Sequence, residues 1–343
     1  MPELTLAFGP GRVNVIGEHT DYNAGLCLPF AIDHGVTVEI RPGEDRVLDV
    51  LALDVEEADS IELDRTPDAT GGWRAFVRGT VSELQRDGHC LRGGALTIRS
   101  DVPLGAGLSS SAALEVALAL ALLEHSGQAE PDPRRLARLC SRVENVWVGA
   151  DTGLLDQLAA LMSHAGAAVR LDMRTLDAEH VDLHLDGWRF VTVHSGVRHQ
   201  HAGSGYNQRR CECRQACKAL GIASLREATP AGAASLPDPL NRRVRHVIDE
   251  NVRVDTAATA IEHGDLALLG RLLDESHASL RDLYEVSVPE VERTVEQLKQ
   301  AGAAGARLLG GGFGGTVLAL LPPHIEPPPE AVEVRPAAAA RLL

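Results

Sequence analysis

Lysine is almost absent from this chain. Among 343 residues only Lys218 and Lys299 occur, so arginine supplies nearly all of the 33 basic side chains, against 48 acidic ones. The resulting formal charge of −15 argues against non-specific binding to DNA or RNA, whose affinity comes mainly from cationic contacts to phosphates. No run of about 20 apolar residues is present, so no bilayer-spanning helix is expected. The opening residues, MPELTLAFGP, carry neither a charged leader nor a long apolar stretch, and no signal peptide is expected. Six cysteines, at 27, 90, 140, 211, 213 and 217, are expected to be reduced thiols in a cytoplasmic protein.

What the chain does have is size and apolar content. Its 343 residues, 44% of them hydrophobic, suffice for two ordinary domains. Asp, His and Gly cluster at 177–187, which puts the expected boundary near residue 180, giving domains 1–180 and 181–343. Strands are expected at 4–8, 13–16, 35–41, within 47–63, and at 95–99, 167–173, 189–194, 305–309 and 316–321. Helices are expected at 73–85, 132–147, 155–162, 207–220, 241–263, 265–274 and 288–301. Asp132-Pro133 is a strong helix start, with a capping carboxylate followed by proline at the first helical position. Residues 224–240, with three prolines, read as a loop.

The most informative stretch is Pro103-Leu-Gly-Ala-Gly-Leu-Ser-Ser-Ser-Ala-Ala-Leu-Glu115, followed by an apolar run to Leu123. It reads as a glycine loop leading into a helix N-terminus. Unpaired N–H groups and the positive end of the helix dipole there suit phosphate. One of the serine hydroxyls can cap the helix or reach a metal held by phosphates. A P-loop is excluded at this position, because no Gly-Lys-Ser/Thr follows the glycines, and the dinucleotide spacing fails as well. The plain alternative is a glycine turn before a core helix.

Three further constellations stand out. Gly11 to Asn23 places Glu18, His19 and Asp21 close together after a short strand. Such a cluster can bond several hydroxyls at once, as a sugar demands; otherwise it is a solvated turn. Glu144 and Asp156 lie on successive helical elements. One can hold Mg²⁺ while the other handles a hydroxyl proton; either can equally be structural. Gly310 to Gly315 holds five glycines in six residues between two apolar strands, which suggests close backbone approach to a ligand or another domain.

Residues 11–25, 103–115 and 305–317 resemble the three motifs of the GHMP small-molecule kinases, and GRVNVIGEHTDYNAG resembles the galactokinase signature. Between them, the stretch from Gly72-Trp73, the segment Thr152-Gly-Leu-Leu-Asp-Gln157, and Gly205-Tyr206-Asn207 resemble further family landmarks. The likeness spans about residues 7 to 321. It implies an α+β fold of two domains, an S5-domain-2-like α/β domain and a ferredoxin-like α+β domain, with the active site in the cleft between. It implies transfer of the γ-phosphoryl group of ATP to the C1 hydroxyl of galactose, with Mg²⁺. By position, Asp156 is the implied catalytic aspartate and Arg12 its cationic neighbour, which favours the ionised carboxylate. Glu18, His19, Asp21, Gly153 and Tyr206 are implied to bind the sugar. Gly105, Ala106, Gly107, Leu108, Ser109, Ser110 and Ser111 are implied to wrap the triphosphate, and Trp73 to line the nucleotide pocket. Ser111 and Glu144 are the implied Mg²⁺ ligands. Galactose and ATP are the expected partners, with no nucleic acid and no membrane, and the chain is expected to be monomeric.

The chain departs from the family at Thr152-Gly153-Leu154-Leu155, where Cys-Gly-Ile-Met is usual, and in its alanine-rich tail. A non-catalytic galactose sensor and an N-acetylgalactosamine kinase are the neighbouring alternatives. The intact serine segment and Asp156 favour an enzyme, and Thr20 and Asn23 favour plain galactose. Cys211, Cys213 and Cys217, with His199 and His201 near, invite a zinc reading, but the spacing is not that of a zinc knuckle.

Overall fold

A computed structural model describes residues 4–103, 107–150, 152–197 and 202–343. The first half runs β1 (Thr5–Asn14), β2 (Leu26–Cys27), β3 (Pro29–Pro42), β4 (Val47–Ala52), β5 (Glu57–Glu62), α1 (Trp73–Arg86), β6 (Gly94–Ser100), α2 (Ser110–His125), α3 (Pro133–Arg142), α4 (Leu155–Met162), β7 (Ala167–Asp172) and β8 (Asp177–Asp182). The second runs β9 (Arg189–His194), α5 (Ala202–Leu220), α6 (Pro230–Ala234), α7 (Leu240–Glu262), α8 (Leu266–Asp282), α9 (Pro289–Gln300), β10 (Gly305–Leu309), β11 (Thr316–Leu321), β12 (Val332–Val334) and β13 (Arg341–Leu342).

The strands form three sheets, ordered β13-β1-β3-β6-β4-β5, β10-β11-β9-β12 and β2-β7-β8. Helix α2 packs on β1 and β3, and its run of Ala, Leu and Val is buried from Ala112 to Leu123 with the exception of Leu114. A helix apolar on every side belongs inside a core rather than at a surface. It lies so close to β1 that a Cβ at Gly9 would sit 2.1 Å from the Ala113 carbonyl oxygen. A second apolar cluster is shared by the two halves: Val13, Val15, Ile16 and Phe30 pack with Val254, Ile261, Leu269 and Leu318. Strand β1, which carries Arg12, thus shares an apolar cluster with α7, α8 and β11 of the second half.

The structure departs from the sequence expectations where polar groups interrupt the pattern. Strand β1 is continuous through Gly9-Pro10-Gly11, and its pairing with β3 shifts register there: Pro10 opposes Gly35, whereas Arg12 opposes Ala31. Helix α8 extends to Asp282, eight residues past the expected end. Beyond Asp274 it buries Ser276, His277 and Ser279 as well as Leu280, so polar residues interrupt the apolar period while burial continues. Inside the expected loop 224–240, Thr229 caps α6 by accepting from the Gly232 N–H, with Pro230 at the first position. The alanine-rich tail returns to the first half, where Ala337, Ala339 and Ala340 N–H groups donate to the carbonyls of Ala31, Ser163 and Ala160. Asp132 caps α3 as expected, accepting from the Arg135 N–H at 3.1 Å.

Gly9→Ala tests the helix-on-strand contact. Neither partner is a flexible side chain, so we expect a loss of about 1–3 kcal/mol, typical of overpacking, read from the denaturant midpoint. An unchanged midpoint contradicts the packing described.

Candidate active site

Arg12 occupies the position where β1 changes register, a device that re-aims a side chain at a strand irregularity. Its backbone N–H donates to the Leu108 carbonyl at 3.0 Å. Its guanidinium makes a forked pair with Asp156, Nε to Oδ1 at 2.7 Å and Nη2 to Oδ2 at 2.8 Å, and Nη1 donates to the Gly107 carbonyl at 2.9 Å. Burial opposes the Arg12 charge, and the carboxylates of Asp156, Glu18 and Glu144 more than offset it, so its pKa rises. Asp156 stands in the first turn of α4, where the helix dipole favours a negative side chain. Its side chain keeps 25% of its surface accessible while that of Arg12 keeps 9%, so the carboxylate is the open member of the pair.

Ser109 sits at the N-cap position of α2, but it does not cap the helix. Its backbone is left-handed, with φ of 58°, and its hydroxyl donates to Oδ2 of Asp156. That corrects the capping expectation for this serine: the hydroxyl is already committed to the ion pair. A non-glycine residue in this conformation stores strain of the kind that collects at functional sites. One position on, Ser110 is exposed at the head of the helix. Ser111 Oγ donates to Oε1 of Glu144 at 2.7 Å. Glu144 lies in a six-residue π-helical segment, Val143–Val148, that follows α3. Single π turns of this kind recur at functional sites. Its Oε2 accepts from Thr152 Oγ1 at 2.7 Å and from Gln157 Nε2 at 3.1 Å.

Beside this pair lies a cavity of about 340 Å³, in the range of small-molecule sites. Arg12, Glu18, His19, Asp21, Glu144, Gly153, Asp156 and Tyr206 line it, together with Asn207 of α5 and Gly310 and Gly311 of the glycine run. Residues from both halves of the chain thus meet at one cavity. Glu18 Oε1 accepts from Arg307 Nη2 and from the Gly310 N–H, both at 2.8 Å. Burial pushes the Glu18 pKa up, opposed by Arg307 and then Arg12. Burial takes His19 down to about 3, so its imidazole is neutral at physiological pH. Asp21 is pushed up to about 6, chiefly by burial, with the charge of Asp156 adding. Gly153 is held to glycine by Asp21: a Cβ there would fall 1.7 Å from its Oδ2.

Most of the residues singled out in the sequence therefore converge. Gly107 and Leu108 contribute carbonyls, while the Leu108 side chain is buried in the shared apolar cluster. Trp73 does not line this cavity; it stands at the start of α1 with Nε1 donating to Glu57 Oε2 at 2.8 Å. Gly105 and Ala106 lie outside the described residues. Of the zinc candidates, His199 and His201 lie outside them as well. Cys213 Sγ accepts from Asn23 Nδ2 at 3.6 Å and lies 3.0 Å from Tyr284 Oη. Among the described residues no group of three or more His, Cys, Asp or Glu is placed to hold a metal ion.

Sequence reasoning missed Thr152, Gln157 and Arg307. Gln157 directly follows Asp156, and Arg307 is a lone charge inside the apolar strand β10, which is itself a signal when the strand is buried throughout. Arg307 is fully buried and donates also to the Val15 and Asn14 carbonyls, at 2.8 and 2.7 Å.

Comparison with known proteins gives this arrangement its class and then its family. The chain matches the model of the GHMP kinases N terminal domain over residues 75–164 and of the GHMP kinases C terminal over 257–341. A mevalonate kinase structure superposes with a TM-score of 0.68 at 18% identity, covering 92% of this chain and 91% of the other, which shows a shared fold. The two-domain α+β fold of the GHMP kinases is thus the fold of this chain. Residues 2–42 match the galactokinase galactose-binding signature. A galactokinase of Roseiflexus sp. (strain RS-1) is 43% identical over 327 residues, 91% of this chain and 82% of the relative. The crystal structure of Lactococcus lactis galactokinase complexed with galactose superposes with a TM-score of 0.92 at 31% identity, covering 99% of this chain and 95% of that one. The chain belongs to the galactokinase family.

The raised Asp21 pKa has a definite consequence for stability. Between pH 4 and 6 the unfolded chain gives up this proton while the folded chain keeps it, so folding stability falls as pH rises and the full penalty is present above 6. We expect Asp21→Asn to raise the thermal midpoint at pH 7.5, with the gain shrinking towards pH 4. A gain equal at both pH values contradicts the assignment.

Proposed function

We propose that this chain is an enzyme that transfers the γ-phosphoryl group of ATP to the C1 hydroxyl of galactose, and that Arg12, Ser109 and Asp156 mark the point of transfer. The observation that carries the reading is the forked Arg12–Asp156 pair, which stands between the polar cavity and the serine segment at the head of α2. The cavity presents carboxylates, an imidazole and a phenol, the mixture of acceptors and donors that several sugar hydroxyls require. Glu18, His19, Asp21, Tyr206 and the backbone at Gly153 are the groups that take the sugar. Residues 105–111 take the triphosphate through backbone N–H groups and the helix dipole.

In this reading Asp156 accepts a hydrogen bond from the C1 hydroxyl and turns its oxygen towards the phosphorus. Arg12 fixes the carboxylate with two bonds and places positive charge beside the oxygens on which charge collects during transfer. Ser109 holds the second carboxylate oxygen, so the rotamer of Asp156 is set before substrate arrives.

Ser111 and Glu144 fit Mg²⁺. Their facing oxygens are hard donors 2.7 Å apart, and Thr152 and Gln157 brace the carboxylate from behind. One hydroxyl and one carboxylate are too few for a protein-only cage, as befits an ion held largely by water and substrate phosphates. When bound, Mg²⁺ neutralises the charge of the triphosphate.

An ADP-release assay across sugars tests the reading. We expect turnover on galactose and none on glucose; absence of turnover on any sugar contradicts it. Asp156→Asn is expected to lower kcat by about 10²-fold or more while galactose binding by calorimetry stays near wild type. Wild-type kcat in that variant removes Asp156 from the chemistry.

A further inference from the structure

Cys213 is joined to the sugar cavity through side chains alone. Its Sγ lies 3.0 Å from Tyr284 Oη, which lies 3.0 Å from Tyr22 Oη, which lies 2.8 Å from Nδ1 of His19. Cys213, Tyr284 and His19 are buried. The other nitrogen of His19, Nε2, is buried without a protein partner, in a residue that lines the cavity.

The direction of this chain of bonds is constrained at both of its ends. Asn23 Nδ2 donates to the His19 carbonyl at 2.8 Å, and a carbonyl only accepts, which fixes the amide's orientation. The second proton on the same nitrogen points to Cys213 Sγ. The sulfur accepts there, and between Sγ and Tyr284 Oη either atom can donate. The direction in which the S–H donates to Tyr284 is the one that ends with a phenol O–H on an imidazole nitrogen, a stronger acceptor than a phenol oxygen or a thiol. Each phenol has one proton to pass on, so in that direction Tyr284 donates to Tyr22 and Tyr22 donates to Nδ1 of His19. A neutral imidazole that accepts at Nδ1 carries its proton on Nε2.

We propose that Cys213, Tyr284 and Tyr22 are positioning residues that lock His19 in the Nε2-protonated tautomer, so that the imidazole presents the sugar with a hydrogen-bond donor and never an acceptor. The identity of the ligand rests on the sugar-kinase reading above; the tautomer does not. The consequence is selectivity for a sugar oxygen that accepts at this point. A ligand offering only a donor there meets an N–H facing an N–H or O–H and leaves a buried polar group unpaired.

The test is nitrogen-15 NMR of the histidine-labelled full chain without ligand, the His19 signals being assigned by their loss in His19→Gln. We expect the proton on Nε2. Tyr284→Phe removes one oxygen and opens the chain of bonds. It is expected to convert His19 to a mixture of tautomers and to raise the galactose KM about tenfold, with kcat and the ATP KM near wild type. Cys213→Ala is expected to act in the same direction, and Cys213→Ser, which keeps a donor, to restore both the tautomer and the KM. A proton on Nδ1 in the wild type overturns the proposal, as does a raised KM in Tyr284→Phe with an unchanged tautomer. If the wild type shows the Nε2 proton but does not phosphorylate galactose, the functional reading fails and the relay stands.

Discussion

The ion pair between Arg12 and Asp156 is the constraint around which the site is built. Two charges taken largely out of water are costly unless every remaining proton and lone pair finds a partner. Here the third guanidinium arm is satisfied by the Gly107 carbonyl, and the carboxylate takes the Ser109 hydroxyl as well. Each of those bonds fixes something else. The Arg12 N–H tied to Leu108 joins β1 to the serine segment. The Ser109 bond accounts for a helix start that forgoes its usual side-chain cap and holds a left-handed residue instead. Local helix geometry is thus subordinated to the position of one carboxylate.

A second buried network keeps the halves of the chain in register around that pair. Arg307 of β10 reaches across to two carbonyls at the end of β1 and to Glu18. Glu250 of α7 accepts from the Gly17 N–H at 2.9 Å, from Ser276 Oγ at 2.7 Å and from Arg253 Nε at 2.7 Å. Arg253, His246 and Arg307 outweigh its burial and bring its carboxyl down to about 2. Glu250 grips the turn that carries His19 and Asp21 through the Gly17 N–H, and Glu18 of that turn is held by Arg307 and the Gly310 N–H, so both ties run to the second half of the chain. The cavity is therefore a joint product of the two halves, although the residues that bear its chemistry come mostly from the first.

How far the sequence revealed this depends on the kind of signal. Residues whose chemistry is local were legible: Asp132 before Pro133 announces a helix start, and the serines after Gly107 announce another. Glu18, His19, Asp21, Glu144 and Asp156 were legible as a set because each is a functional group beside a glycine or a helix end. What hid was burial of polar groups by distant partners. Ser276, Ser279 and His277 look like the end of an amphipathic helix until Glu250, His246 and the strand β10 are seen to receive them. The role of Cys213 was hidden because its partners, Asn23 and Tyr284, are 190 and 71 residues away in the chain. The register shift beside Arg12 was hidden as well, since its cause lies in how β1 and β3 pair.

The serine segment and the polar cavity are proposed to serve a single transfer across Asp156. The most direct measurement is a crystal structure with galactose, Mg²⁺ and a non-hydrolysable ATP analogue bound together. We expect the sugar in the cavity of Glu18, His19 and Asp21, its C1 oxygen bonded to Asp156 and about 3–3.5 Å from the γ-phosphorus. A nucleotide seated away from the head of α2, or a C1 oxygen turned from Asp156, would contradict it.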